Sequence, residues 1–257
     1  MKPSRNALAR QTAILKHLKG HGRALVDELA EMFATTPQTI RKDLNALAEV
    51  NQIARFHGGA ALVGGTEYMR FSVREEVARD EKEAIGRAAA GLVPNNSSLT
   101  INAGTTTLAF ARNLHAHVGL RIVTDSVVLA NEIRDFVGAE VMVPAGVVRK
   151  SDGAILGETA VDFIRRFRVD TAIIGAAAIA EDGMLLDFDL GEASIVRAMI
   201  DNARNVLLAA DSTKFTRAAP ICTGTLSQID TLVTDAACPD ALRALCAQEN
   251  VRLVLAD

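Results

Sequence analysis

Two sets of residues in this 257-residue chain have the types and spacing to do chemistry. The first is polar and helical. Thr36, Gln38, Thr39, Arg41 and Lys42 cluster at the start of a segment whose Ile40, Leu44 and Leu47 repeat on another face, and Arg55 and His57 follow, ahead of Gly58-Gly59. Cations and amides on an exposed helical turn, followed by a basic hairpin, can bond base edges and neutralise phosphates. The second set falls in loops: Asn102, Gly104, Thr105 and Thr106, then Thr124 and Asp125, Gly146, Glu192, and finally Asp211 and Lys214. A glycine permits close backbone approach, hydroxyls donate hydrogen bonds and an ammonium neutralises charge, so this composition suits a phosphorylated sugar or polyol. Each loop also has a plainer explanation. GTTT fits an ordinary βα turn with a Thr cap, and Lys214 fits a solvated surface lysine. Four such loops at one sheet edge favour the pocket.

The elements that must carry the first set are legible from periodicity. Leu25, Leu29 and Phe33 share one helical face, with Asp27, Glu28 and Glu31 on the other. Thr36 is an N-cap by type and Pro37 suits the first helical position, where a missing N–H costs nothing. A helix, a tight turn, a capped second helix and a basic hairpin make a winged helix-turn-helix, whose second helix enters the major groove. An amphipathic helical hairpin is the alternative. The Thr-Pro start, the outward polar row and the basic wing favour DNA.

The second set needs a larger scaffold. Residues 1–60 are expected to form the DNA-binding domain and residues 61–79 a linker, since periodicity is lost there around Gly64-Gly65. Residues 80–257 then form a second domain opening on a helix over Glu81–Val93. Beyond Ser97, candidate strands at Leu99–Asn102, Arg121–Thr124, Glu140–Pro144, Thr171–Gly175, Val206–Ala210, Thr231–Thr234 and Arg252–Leu255 alternate with helical patterns. That alternation implies an α/β fold with a mostly parallel sheet covered on both faces and ligands at the strands' carboxyl ends.

Composition narrows the class. A hydrophobic content of 49% supports a buried core and excludes a disordered chain. No apolar run is long enough to span a bilayer, and MKPSRNALARQ lacks the apolar stretch of a secretory signal. A cytoplasmic setting is expected. Cys222, Cys238 and Cys246 are too widely spaced for a disulfide framework or a metal cluster, so no metal or cofactor is expected. Residues 1–60 hold nine basic and five acidic side chains, against 19 and 26 in the remainder. A basic head on an acidic body suits DNA binding by the head alone.

The motifs ELAEMF, TPQTIRKDL and RFHGGA resemble the N-terminal domain of the DeoR family of bacterial regulators. NAGTTT, TDS, GAILGE, IIGAAAI, GEASIVRAMI and DSTKF are similar to that family's effector domain, and the likeness covers nearly the whole chain. The resemblance implies a ribose-5-phosphate isomerase-like domain, with phosphate held by Gly104, Thr105, Thr106 and Lys214, and the remainder lined by Asp125, Gly146, Glu192 and Asp211. Asn102 stands where Asp is usual and Ala145 where Gly is usual. RKSDGAILGETAVDFIRRFRVD and LLDFDLGEA resemble the family's glycerol-3-phosphate branch, which implies glycerol 3-phosphate as effector, with another sugar phosphate as the alternative.

The expected function is a transcriptional repressor that leaves double-stranded operator DNA when a phosphorylated metabolite binds. A palindromic operator would mirror a homodimer or homotetramer. The rivals are a sugar-phosphate isomerase or deaminase with a DNA-binding head, and a module whose head contacts protein. The enzyme needs a positioned acid–base pair, and no His lies among these loops.

Overall fold

In a computed structural model of the protein, the described residues are 5–21, 23–49, 53–56, 58–62 and 71–257. They fall in two compact units, residues 1–79 and 80–257.

The first unit runs α1 (Arg5–His21), β1 (Arg23–Leu25), α2 (Val26–Met32), α3 (Pro37–Glu49), β2 (Ile53–Phe56), β3 (Gly59–Leu62) and α4 (Phe71–Glu76). Ile14 and Leu18 of α1, Val26 and Leu29 of α2, and Ile40, Leu44 and Leu47 of α3 interlock as its core. Removing those side chains from water is what holds helices of this length, since isolated short helices are marginal. The turn between α2 and α3 uses Ala34 at φ 46°. Thr36 caps α3: its Oγ1 accepts the Thr39 N–H at 3.2 Å. Strands β1, β3 and β2 form an antiparallel sheet in that order. Gly59 is required there, because a Cβ would lie 2.5 Å from the Phe56 ring and 2.6 Å from the Ala24 carbonyl oxygen. The result is a winged helix-turn-helix.

Two details differ from the sequence pattern. Leu25 is 41% exposed and lies outside the helix, as the residue before it, while Val26 takes the inner face. The Leu25 N–H donates to Glu28 Oε2 at 3.0 Å, so position 25 serves the helix end rather than the core. Within the stretch expected as a linker, β3 continues to Leu62 and α4 occupies Phe71–Glu76.

The second unit contains α5 (Arg79–Ala90, beginning at the boundary), β4 (Ser98–Ile101), α6 (Thr105–Arg112), β5 (Leu120–Thr124), α7 (Val127–Ile133), β6 (Ala139–Met142), α8 (Glu158–Ile164) and β7 (Val169–Ile174). It continues with β8 (Ala178–Ile179), β9 (Met184–Asp187), α9 (Leu190–Asp201), β10 (Ala203–Ala209), β11 (Ile221–Thr225), β12 (Thr231–Asp235), α10 (Asp240–Gln248) and β13 (Arg252–Ala256). Seven strands form a parallel sheet in the order β13-β12-β10-β7-β4-β5-β6. Leu99, Ile101, Ile122, Ile173, Ile174, Leu208 and Leu232 are fully buried, as befits strands covered on both faces. The order runs outward in opposite directions from the β4–β7 pair, which makes that pair the switch point where such sheets bind ligands.

Gly86 lets α5 lie directly on α6, since a Cβ there would meet the Ala109 carbonyl carbon at 2.6 Å. Strands β8, β9 and β11 form a small antiparallel sheet, order β11-β9-β8, that the sequence pattern did not lead us to expect. Ile179 and Leu185 carry it into the main core. Among the described residues no helix is long and apolar enough to cross a membrane.

Candidate functional site

The first unit presents the start of α3. Thr36, Gln38, Arg41 and Lys42 are exposed and Thr39 is half-buried. Thr36 Oγ1 and Thr39 Oγ1 lie 2.9 Å apart, so these hydroxyls hold the turn as well as facing outward. Asp43, buried in the same helix, accepts from Arg10 Nε and, at 3.1 Å, from Gln11 Nε2. This pair of bonds locks α3 to α1 and fixes the presentation of Arg41 and Lys42. Sequence reasoning passed over Asp43, because a carboxylate on a helix usually faces water. Arg55, on β2, donates through Nη1 to Asn45 Oδ1 on α3 and so ties the hairpin to that helix. His57, expected as a wing contact, lies outside the described residues.

The second unit gathers its polar residues at the carboxyl ends of the strands. After β4, Gly104 precedes α6 and has no side chain to cap it, which leaves the first-turn amides to other acceptors. A Cβ on Gly104 would lie 2.8 Å from Thr107 Oγ1, which itself donates to the Asn102 carbonyl at 2.7 Å. Thr105 and Thr106 are buried at the helix start. Asn102 Oδ1 accepts the Gly175 N–H at 2.9 Å and joins the ends of β4 and β7 at the switch point. An aspartate there would accept the same bond but add a buried charge.

After β5, the Thr124 hydroxyl accepts the Ser126 N–H at 3.1 Å. Thr124 therefore shapes the turn and is fully buried. Asp125 is buried too, and its Oδ1 accepts the Ala103 N–H at 2.7 Å. Burial pushes its carboxyl up to about 7, helped by the charges of Glu192 and Asp152 and opposed by the Ala103 bond. The long connection after β6 folds back on this turn. Ile155 N–H donates to the Asp125 carbonyl at 2.7 Å and Val127 N–H to the Gly153 carbonyl at 2.9 Å. Gly146 lies on this connection and is exposed.

Arg149, on the same connection, carries a network that the sequence did not suggest. Its Nε donates to Asp152 Oδ1 at 2.9 Å, its Nη2 to Asp152 and Glu192, and its Nη1 lies 3.4 Å from Asp189 Oδ2. Asp189 in turn caps α9, accepting from the Gly191 and Glu192 amides at 2.8 and 3.0 Å. Bonds to Asp152 and Glu192 hold the guanidinium firmly protonated in spite of its burial.

The β10 end is cationic. Asp211 is wholly buried, with Oδ1 accepting from the Thr213 N–H at 3.1 Å and from the Thr213 hydroxyl. Lys214 is 8% exposed and Lys82, reaching in from α5, is 3% exposed. Although burial works the other way, Lys214 and Lys82 hold the Asp211 carboxyl below its usual range. Lys82 was missed because its neighbours, Asp80, Glu81 and Glu83, make that turn look like solvated surface. Buried ammonium groups are rare without a specific reason. Among the described residues no cluster of His, Cys, Asp and Glu is arranged to hold a metal, and the three cysteines are free.

Residues 10–65 match the DeoR-like helix-turn-helix domain and residues 77–236 the DeoR C-terminal sensor domain. The chain is 40% identical over 246 residues to the glycerol-3-phosphate regulon repressor of Escherichia coli K12, covering 96% of this chain and 98% of that one. It is 36% identical to the transcriptional repressor CsqR of the same organism, over 96% of this chain and 94% of the other. Ribose 5-phosphate isomerase A from Methanocaldococcus jannaschii aligns in structure with a TM-score of 0.41 at 16% identity, covering 54% of this chain and 55% of that one.

Proposed function

The chain belongs to the DeoR family of DNA-binding transcriptional regulators, and from that premise we propose that it is a repressor released from its operator by glycerol 3-phosphate. The observation that carries the effector half is the pair of buried lysines, Lys82 and Lys214, beside Asp211 at the strand ends. The two ammonium groups lend this end of the pocket positive charge, which attracts an anion, and a phosphate also suits the uncapped amides at Thr105 and Thr106. Gly104 and Lys214 complete that cradle. Asp125, Glu192 and Asp211, with Asn102, Thr124 and Gly146 around them, form the remainder of the pocket. Another sugar phosphate as effector would use the same groups.

The DNA half rests on α3. Gln38, Thr39, Arg41 and Lys42 read or position on the major groove, Thr36 supports the helix start, and Arg55 and His57 serve the adjoining backbone. A palindromic operator would call for a homodimer or homotetramer. Coupling follows from linkage: the effector binds the arrangement with low operator affinity more tightly and shifts the population towards it.

The test is operator binding by fluorescence anisotropy, using duplexes selected by the protein itself, with and without glycerol 3-phosphate. Release by glycerol 3-phosphate, lost in Lys214→Ala, is the expected result. Arg41→Ala should weaken operator binding by about 1–3 kcal/mol, which is roughly 5- to 150-fold. Release by a different phosphate reassigns the effector. A complex that no phosphorylated metabolite disturbs refutes the effector half.

A further inference from the structure

At about 3.6 residues per turn, Gln38, Arg41, Lys42 and Asn45 fall on one stripe of α3. All four are exposed. Ile40, Leu44 and Leu47 lie on the opposite side, in the core. Asn45 is near the middle of the outward stripe, two turns beyond Gln38, and so on the side of the helix that a major groove receives. By type alone it is an ordinary solvated asparagine.

Its partner makes it something more. Arg55 Nη1, from β2 of the hairpin, donates to Asn45 Oδ1. A guanidinium has donors and no acceptor, so the amide atom that faces it must be the oxygen. The bond therefore settles which way the amide points, with Oδ1 engaged and the two N–H groups of Nδ2 left over. Arg55 is half-buried, and its strand is held by backbone pairing to β3, with Arg55 opposite Ala60. The guanidinium is thus mounted on a sheet rather than on a loop.

This orientation changes what Asn45 can recognise. A freely rotating asparagine offers one donor and one acceptor and matches adenine, which presents N7 and the N6 amino group in the major groove. An asparagine whose oxygen is engaged offers donors alone. Guanine answers it with two acceptors, N7 and O6, and thymine with O4, whereas cytosine opposes it with an amino group.

We propose, on the basis of the DNA-binding function of α3, that Asn45 is a base-reading residue and Arg55 its positioning residue: together they show the major groove a donor-only amide that selects guanine or thymine over adenine and cytosine at one base-pair position of the operator.

The test is selection from a randomised duplex library by the full-length protein, read by sequencing, with competition binding on the selected site. The wild type should enrich guanine or thymine at one position and deplete cytosine there, and Asn45→Ala should lose that preference. Asn45→Asp keeps an oxygen for Arg55 but has no N–H, so preference at the same position should move to cytosine, whose amino group donates. Its affinity for the wild-type site should fall roughly 5- to 150-fold. Arg55→Met frees the amide to rotate, and adenine should then be admitted at that same position. Thermal melts establish that each variant is folded, and Asn45→Asp, which retains the tie to Arg55, decides the matter if another variant is not. A tie that is merely structural gives a uniform loss across sequences with every base preference unchanged, and that result overturns the proposal. So does a wild type that selects adenine at a position where Asn45→Ala loses it, since Arg55 would then have released the amide on DNA. Failure of the underlying DNA-binding function has a separate signature: the wild type enriches no sequence at all.

Discussion

Replacing Asp125 by Asn should stabilise the sensor unit at alkaline pH and leave it nearly unchanged at acid pH. The carboxyl is raised from 3.8 to about 7, first by burial and then by Glu192 and Asp152. Between those values the native state holds a proton that the unfolded chain has lost. Unfolding free energy therefore falls as pH rises through this window, and the loss is complete above about pH 7. A shift of about three units at 1.36 kcal/mol each sets an upper bound of about 4 kcal/mol. Asparagine has no charge to bury, and its Oδ1 can still accept the Ala103 N–H. Urea unfolding at pH 5 and pH 8 reads the effect. The variant should exceed the wild type by no more than about 1.6 kcal/mol at pH 5 and by about 1–4 kcal/mol at pH 8, the gap widening with pH. If the two stability profiles run parallel across pH 5–8, the account of Asp125 as a carboxyl that resists ionisation is wrong.

Three further outcomes follow from particular contacts. Arg149→Met takes the guanidinium away from Asp152 and Glu192, whose side chains are 1% and 7% exposed; thermal unfolding should show a loss of about 3–5 kcal/mol, and a loss under 1 kcal/mol would remove Arg149 from its central place. Asp43→Asn takes the charge away from Arg10 while keeping an acceptor for Gln11, so hydrogen exchange of α3 amides should quicken, at a cost of about 1–3 kcal/mol. Gly86→Ala sets a gain in helix propensity of about 1 kcal/mol against a 2.6 Å clash with the Ala109 backbone costing about 1–3 kcal/mol. The clash should win in chemical denaturation, and a more stable variant would mean that α5 and α6 are not pressed together.

The recognition helix was legible because its signals are local. Thr36 and Pro37 mark its start, and Ile40, Leu44 and Leu47 mark its buried face within a few turns. The seven strands of the main sheet were legible for a similar reason, since strands buried on both faces read as aliphatic runs. The small sheet was not, because Ala178–Ile179 is two residues long and is completed only by Ile221–Thr225, some forty residues on. At the strand ends, Gly104, Thr105, Thr106, Asp125, Asp211 and Lys214 stood out by type and position. Arg149 and Lys82 did not. Their roles depend on Glu192 and Asp211, partners 43 and about 130 residues away, which no spacing rule connects. Asn102 was recognised as unusual, but its bond to Gly175 is a property of strand order, visible only once β4 lies beside β7.

That neighbourhood of β4 and β7 also sets a timetable for the nascent chain. Ser98 and Asp170 bond across the pair, 72 residues apart in sequence, whereas every pairing in the β1-β3-β2 sheet lies within residues 23–62. Non-local pairings wait for their second strand and are slow to close. On the ribosome the reading head is complete in covalent terms about a hundred residues before β7 emerges, a delay of roughly 5–20 s at ordinary synthesis rates. In that interval β4, β5 and β6 have no second half to cover them. A DNA-binding head thus precedes its own sensor into existence, and anything that stalls translation between the two leaves a regulator fragment that has an address but cannot hear a signal.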